Sequence, residues 1–237
     1  LSILDLSIEG HQPMLSREGR YAIAFNGEIY NHLELRGALE KASRNEALPQ
    51  WRGHSDTETL LACFSSWGVT ETLERTVGMF AIALWDRLEK KLYLARDRFG
   101  EKPLYYGWVN GAFIFGSELK ALRQFPGFTN PIDRDVLALY MRFNYVPAPY
   151  SIFKNIFKLE PGCLLSLGES ATRQPPTSAP KAPVSGENFF LSRWWSLESV
   201  VASGAQNQIH DEIEAVEMLE SRLKESIRLQ SIADVPL

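Results

Sequence analysis

Asn26, Gly27 and Glu28 stand together in the run FNGEIYN, directly behind the apolar residues 21–25. An Asn carboxamide beside a Gly backbone N–H offers two adjacent donors of the kind that hold an oxyanion or a ligand carbonyl. The same Asn-Gly pair between alternating apolar runs is also the strongest short-range signal for a type I′ hairpin turn. Both readings stand on these residues alone. Asp56 follows His54 and Ser55 at the head of an apolar segment. There a carboxylate can receive a ligand ammonium or interact with a helix dipole, and either Ser55 or Asp56 can act as an N-cap. Arg96, Asp97 and Lys102 cluster in RDRFGEK, and the sequence predicts an ion-pair network bracing a hairpin. Cys63, within LLACF, is expected to be a small buried apolar residue. Cys163 follows a Pro-Gly turn far from any candidate base, and His54 reads as a solvated loop histidine.

Elements that could position these residues are visible in the apolar patterning. Strands are predicted at 21–25, 79–85, 91–95, 103–109 and 112–115. DRLEKK joins two of them at hairpin distance and Asn110-Gly111 joins two more, which implies a mostly antiparallel meander. Helices are predicted over 31–41, over 60–67 with Ser55 to Glu58 spaced as a capping box, and over 133–142. Helices grouped on antiparallel strands argue for a layered α+β domain. Residues 168–189 are rich in Pro, Ser, Thr and Ala, as a linker or long loop would be. Beyond them, Ile213, Val216, Leu219, Leu223 and Ile227 recur every three or four residues, marking an amphipathic helix over 211–229 that needs a partner face. Residues 190–237 are therefore expected to open a second domain, after a first domain over 1–167.

The totals bound the function. A chain of 237 residues can bury a substantial core, and a net charge of -4 does not advertise a nucleic-acid partner. No apolar run reaches membrane-spanning length and no signal-peptide layout opens the chain, so a soluble cytoplasmic protein is expected. Two distant cysteines and four scattered histidines indicate neither a disulfide framework nor a metal site. The chain opens at Leu1 inside an alternating apolar stretch and closes in ADVPL, so both ends are expected to be cut.

The runs FNGEIYNHLELR, HSDTETLL, GMFAIALWD, LYLARDRFGEKPLYYG, FGSELKAL and YVPAPYSIFKNIFKLEPGC occur in this order. Together they resemble the glutaminase half of glutamine-hydrolysing asparagine synthetases, a class II glutamine amidotransferase family. The resemblance runs from Leu1 to about Gly162 and resumes from Trp194 to Leu237. It implies an N-terminal-nucleophile αββα sandwich, followed by the first helix of a missing α/β synthetase domain. It also implies glutamine hydrolysis by an N-terminal cysteine whose own α-amino group is the base. Ammonia would pass through a tunnel to a domain that uses ATP and Mg2+ to activate aspartate, and asparagine would be the product.

By position, Asn26 and Gly27 match the oxyanion hole, and Asn26, Gly27 and Glu28 match the glutamine-binding stretch. Asp56 matches the carboxylate that receives the glutamine α-ammonium, and Leu1, Ser2, Ile3 and Leu4 match a segment lining the same site. Glu118 either lines the ammonia path or caps a helix over 117–122. The resemblance implies glutamine and a C-terminal synthetase domain as partners, allows a homodimer, and involves neither nucleic acid nor membrane. The family cysteine, the arginine that grips the substrate carboxylate and the pyrophosphate loop SGG-x-DSS have no counterpart in these residues, so the isolated chain is expected to be inactive. Three readings compete: a piece of a complete synthetase, an inactive remnant that binds glutamine or pairs with an intact subunit, and a hydrolase using another nucleophile such as Ser2.

Overall fold

Asp133, Ser55, Ser196 and Asp211 each begin a helix because a short oxygen-bearing side chain can satisfy N–H groups that the first helical turn leaves unpaired. The computed structural model describes residues 10–42, 51–170, 175–176, 178–186 and 188–231. In chain order they form β1 (Met14–Leu15), β2 (Tyr21–Ile29), α1 (His32–Ala42), α2 (Asp56–Trp67), α3 (Val69–Arg75), β3 (Gly78–Asp86), β4 (Lys91–Arg96) and β5 (Tyr105–Val109). There follow β6 (Ala112–Gly116), α4 (Leu119–Leu122), α5 (Arg134–Phe143), β7 (Ile156–Lys158), β8 (Cys163–Gly168), β9 (Phe189–Arg193), α6 (Leu197–Gln206) and α7 (Glu212–Gln230).

Six strands make one sheet in the order β1-β2-β3-β4-β8-β9, and three make another in the order β6-β5-β7. Strands β3 and β4 run antiparallel from Ala81↔Arg96 to Asp86↔Lys91, and β4 pairs antiparallel with β8 through Leu94↔Leu165. The predicted strands are all present, but they do not form a single meander. β5 and β6 leave the large sheet, and the run CLLSLG, apolar but for Ser166, returns as β8 to pair with β4. At Asn110-Gly111 the expected turn forms, with φ of 49° and 77°. Positive φ at both central residues is what a type I′ hairpin requires.

The chain divides into two units. One contains Gln12–Gly27 and Met79–Trp194, and the other contains Glu28–Gly78 and the residues from Trp195 onward. In the first unit Ala81, Ala83, Leu94 and Leu165 of the large sheet meet Tyr106, Trp108 and Phe157 of the small one. The rings of Trp108 and Phe113 cross edge to face at 5.1 Å. The small sheet's other face packs Val109, Ile114 and Ile156 against Leu122 of α4. Cys163 is fully buried within the inter-sheet core.

In the second unit α1 lies against α2 and α2 against α3, with Leu35, Leu39, Leu60, Leu61, Phe64 and Leu73 buried. Cys63 is fully buried here, as expected. Helices α6 and α7 bury no residue at all. The apolar stripe of α7 that the sequence marks is exposed along its length, from Ile213 at 71 % to Ile227 at 64 %. Strand β9 straddles the domain boundary expected at 189/190 and spends its backbone hydrogen bonds on β8. Among the described residues no helix is long and apolar enough to cross a membrane.

Candidate active site

Asn26 and Gly27 lie inside β2, which runs straight through them to Ile29. The hairpin reading of Asn-Gly is thereby overturned: here the pair is extended strand. Its backbone is held by neighbours instead of by a turn. One residue before the pair, the Phe25 N–H donates to Gln12 Oε1 at 2.6 Å. A Cβ added to Gly27 would overlap the Met79 carbonyl oxygen and stand 2.7 Å from Phe80 Cα, so glycine is required for this close approach to β3. The Asn26 side chain is exposed, and its Nδ2 donates to Ser117 Oγ at 3.0 Å. The carboxamide is thus both accessible and anchored.

In the other unit, Glu28 and Asp56 are buried. Ser55 is the N-cap of α2, its hydroxyl accepting the Glu58 N–H at 3.2 Å, and Asp56 is the first helical residue. The capping box is only half of the expected form. Glu58 reaches further back, taking the Arg52 N–H at 2.9 Å and the Gly53 N–H at 3.1 Å, which fastens the loop leading into α2. Asp56 Oδ2 accepts the Ile29 N–H at 2.9 Å. Burial pushes its carboxyl above the ordinary range, opposed by the Ile29 hydrogen bond, by His32 and by Thr57.

The residues of GEIYNHLELR beyond Glu28 turn out to be scaffolding for this cluster. Asn31 spans to the chain before β3, donating to Arg75 O and accepting from Val77 N. His32 Nδ1 pairs with Ile29 O at 3.0 Å. Arg36 donates to Thr59 Oγ1, Gly53 O and Ser55 O while lying over the Trp51 ring at 4.1 Å. Sequence reasoning passed over Asn31, His32, Arg36, Gln12 and Ser117. For Asn31, His32, Arg36 and Ser117 the signal was their place inside the family-like runs, whereas Gln12 lies in none of them; the partners lie up to 91 positions away.

One expected role needs correction. Arg96 and Asp97 do brace the chain around the RDRFGEK loop, but through backbone groups instead of an ion-pair network. Arg96 donates to the carbonyls of Lys102, Leu159 and Gly100. Asp97, fully buried, accepts the N–H groups of Phe80, Phe99, Glu101 and Lys102 at 2.9 to 3.2 Å. Charged side chains do this well because a charge-assisted hydrogen bond is stronger than a neutral one. Glu118 stands at the N-cap of α4, a helix of only four residues, without a side-chain capping bond, and its exposed carboxylate pairs with Lys120 at 2.8 Å. His54 is an exposed loop residue, as expected. Leu1, Ser2, Ile3 and Leu4 lie outside the described residues.

Neither cysteine is poised for attack. Burial pushes the Cys63 thiol up to about 12 and the Cys163 thiol up to about 11, and the thiolate is the nucleophilic form. Among the described residues no group of His, Cys, Asp and Glu side chains could hold a metal ion.

A model of the glutamine amidotransferase domain matches residues 1–177, three quarters of the chain. This protein belongs to the class II glutamine amidotransferase family. The chain is 40 % identical over 162 residues to glutamine-hydrolysing asparagine synthetase 1 of Bacillus subtilis, covering 68 % of this chain and 24 % of that one. It is 35 % identical over 242 residues to a provisionally named glutamine-hydrolysing asparagine synthetase of Mycobacterium tuberculosis, covering 99 % of this chain and 33 % of that one. The chain thus spans about a third or less of the length of the curated relatives it matches. The solved allosteric regulatory enzyme of purine biosynthesis superposes with a TM-score of 0.51 at 21 % identity, over 79 % of this chain and 32 % of that one, which shows a shared fold. The α+β amidotransferase fold of the N-terminal-nucleophile type, with its antiparallel sheets, is as the sequence predicts.

Proposed function

We propose that this chain is the glutaminase portion of an asparagine synthetase-like enzyme, releasing ammonia from glutamine for the ATP-dependent amidation of aspartate to asparagine. The observation that carries the proposal is the Asn26 carboxamide, exposed on β2 yet anchored by Ser117, beside a glycine that leaves no room for a side chain. When a nucleophile attacks the glutamine δ-carbonyl, negative charge develops on its oxygen. The Asn26 Nδ2–H and the Gly27 N–H are the donors that would receive it, and removing one such donor typically costs roughly 2.7 to 4 kcal/mol of barrier. Asp56 would take the substrate α-ammonium, with its raised carboxyl restored to the anion by that positive charge. Glu28 and residues 1–4 would complete the glutamine contacts.

The cysteine that performs the attack is not Cys63 or Cys163, whose burial keeps both thiols protonated. ATP and Mg2+ would serve the synthetase reaction of the complete enzyme, activating the acceptor carboxylate. The long Pro-rich segment of 168–189 and the exposed apolar stripe of α7 support a synthetase domain following the glutaminase domain.

The test is the intact mass and N-terminal residue of the native polypeptide, with its glutaminase activity. A polypeptide of more than twice 26.8 kDa that begins with cysteine and hydrolyses glutamine is the expected result. A native mass near 26.8 kDa with no glutamine turnover overturns the reading and leaves a binding remnant.

A further inference from the structure

Ser117 follows β6 of the small sheet, whereas Asn26 belongs to β2 of the large one, and the two meet through a single side-chain hydrogen bond. Nothing local explains a serine at this place. It lies outside the four-residue helix α4, whose N-cap is Glu118, so its hydroxyl is not spent as the cap of that helix. The Asn26 side chain is exposed, and an exposed carboxamide without an anchor rotates broadly about its last torsion, because terminal sp3–sp2 torsions have shallow wells. An oxyanion donor that must first be ordered loses part of its advantage, since electrostatic stabilisation depends on dipoles already in place when charge develops.

Resting on the glutaminase reading above, we infer that Ser117 is a positioning residue that holds the Asn26 carboxamide in register for the oxyanion. Its Oγ takes one Nδ2–H at 3.0 Å. The carboxamide plane is thereby set, and the second Nδ2–H is the donor left for substrate. The backbone beneath is fixed independently, by Gln12 on the Phe25 N–H and by the close approach of Gly27 to Met79 and Phe80. Ser117 therefore governs the side chain alone. Its loss should disturb the transition state more than substrate binding, because the charge it helps to stabilise is absent from the ground state.

The test has two readouts. In this chain, side-chain amide NMR of Asn26 reports its order directly. Ser117→Ala should speed exchange of the Asn26 carboxamide protons and bring its resonances toward those of a freely rotating Asn, and Ser117→Thr should restore the wild-type pattern. In the native polypeptide, Ser117→Ala should lower kcat for glutamine hydrolysis by about tenfold with KM within about twofold, as expected for an interaction made in the transition state. Unchanged Asn26 resonances in Ser117→Ala overturn the positioning role, as does a wild-type kcat in that variant. A native wild-type polypeptide that hydrolyses no glutamine instead overturns the glutaminase reading, and that failure is distinct because the NMR comparison needs no turnover.

Discussion

The Asp56 carboxylate accepts the Ile29 N–H at 2.9 Å, so the first residue of α2 is tied to the last residue of β2. The bond is made by a buried acid whose carboxyl is held above its ordinary range chiefly by desolvation. For an acid with a raised folded-state value, the folded protein keeps its proton to higher pH than the unfolded chain does. Its stabilising contribution is then greatest below the unfolded value of about 3.9 and declines as pH rises through the folded one. Asp56→Asn keeps an acceptor for Ile29 and removes the charge. It should raise Tm at pH 7 and lose that advantage toward pH 4, as thermal melts across pH will record. The same variant should abolish glutamine turnover by the native polypeptide.

Gly27→Ala should destabilise the fold, because the new methyl group meets backbone atoms of Met79 and Phe80 that cannot rotate away. Overpacking of this kind costs about 1 to 3 kcal/mol. Urea denaturation should show the midpoint falling with an unchanged slope, and an unshifted midpoint would mean that β2 and β3 separate without penalty.

Asp97→Ala should be among the most damaging single substitutions in the chain. It strips the acceptor from four backbone N–H groups, those of Phe80, Phe99, Glu101 and Lys102, around a fully buried position. Hydrogen bonds to a charged group contribute about 1.5 to 3 kcal/mol each, and their partners are left unsatisfied. A loss above about 3 kcal/mol is expected from chemical denaturation. Asp97→Asn, which can still accept at one oxygen, should lose less.

Asp86 gives the opposite pH behaviour to Asp56. Burial would raise its carboxyl, but the Arg20 guanidinium together with the N–H groups of Leu88 and Glu89 outweighs burial and holds it below the usual range. A lowered folded-state value contributes stability above the unfolded value that is lost as pH falls through the folded one, here below about pH 4. Arg20→Met should flatten the dependence of Tm on pH between about 2 and 4. Because Arg20 is 36 % exposed, solvent and added salt will screen the pair and shrink the difference.

Leu223→Lys on the exposed stripe of α7 should leave the stability of this chain unchanged within about 0.5 kcal/mol, as surface substitutions usually do. A larger loss would show that the stripe is already covered in solution. In the native polypeptide the same substitution should destabilise, because there the stripe is expected to meet its partner.

The amino-acid sequence by itself determined what acts over a few residues. The apolar runs became strands, Asn110-Gly111 became the turn that its two positive φ angles allow, and Ser55 capped α2. The order of the motifs was enough for the family. Tertiary structure decided everything that depends on partners distant along the chain. A second Asn-Gly pair, at Asn26, is extended because its neighbours Gln12, Met79, Phe80 and Ser117 hold it so. Arg96 and Asp97 look like ion-pair partners in sequence, yet three carbonyls and four N–H groups claim them in space. The reason is common to these cases. A side chain's donors and acceptors are set by its chemistry, but which buried backbone groups need them is set only when strands far apart in sequence close into sheets, and an unpaired buried polar group is too unfavourable to leave.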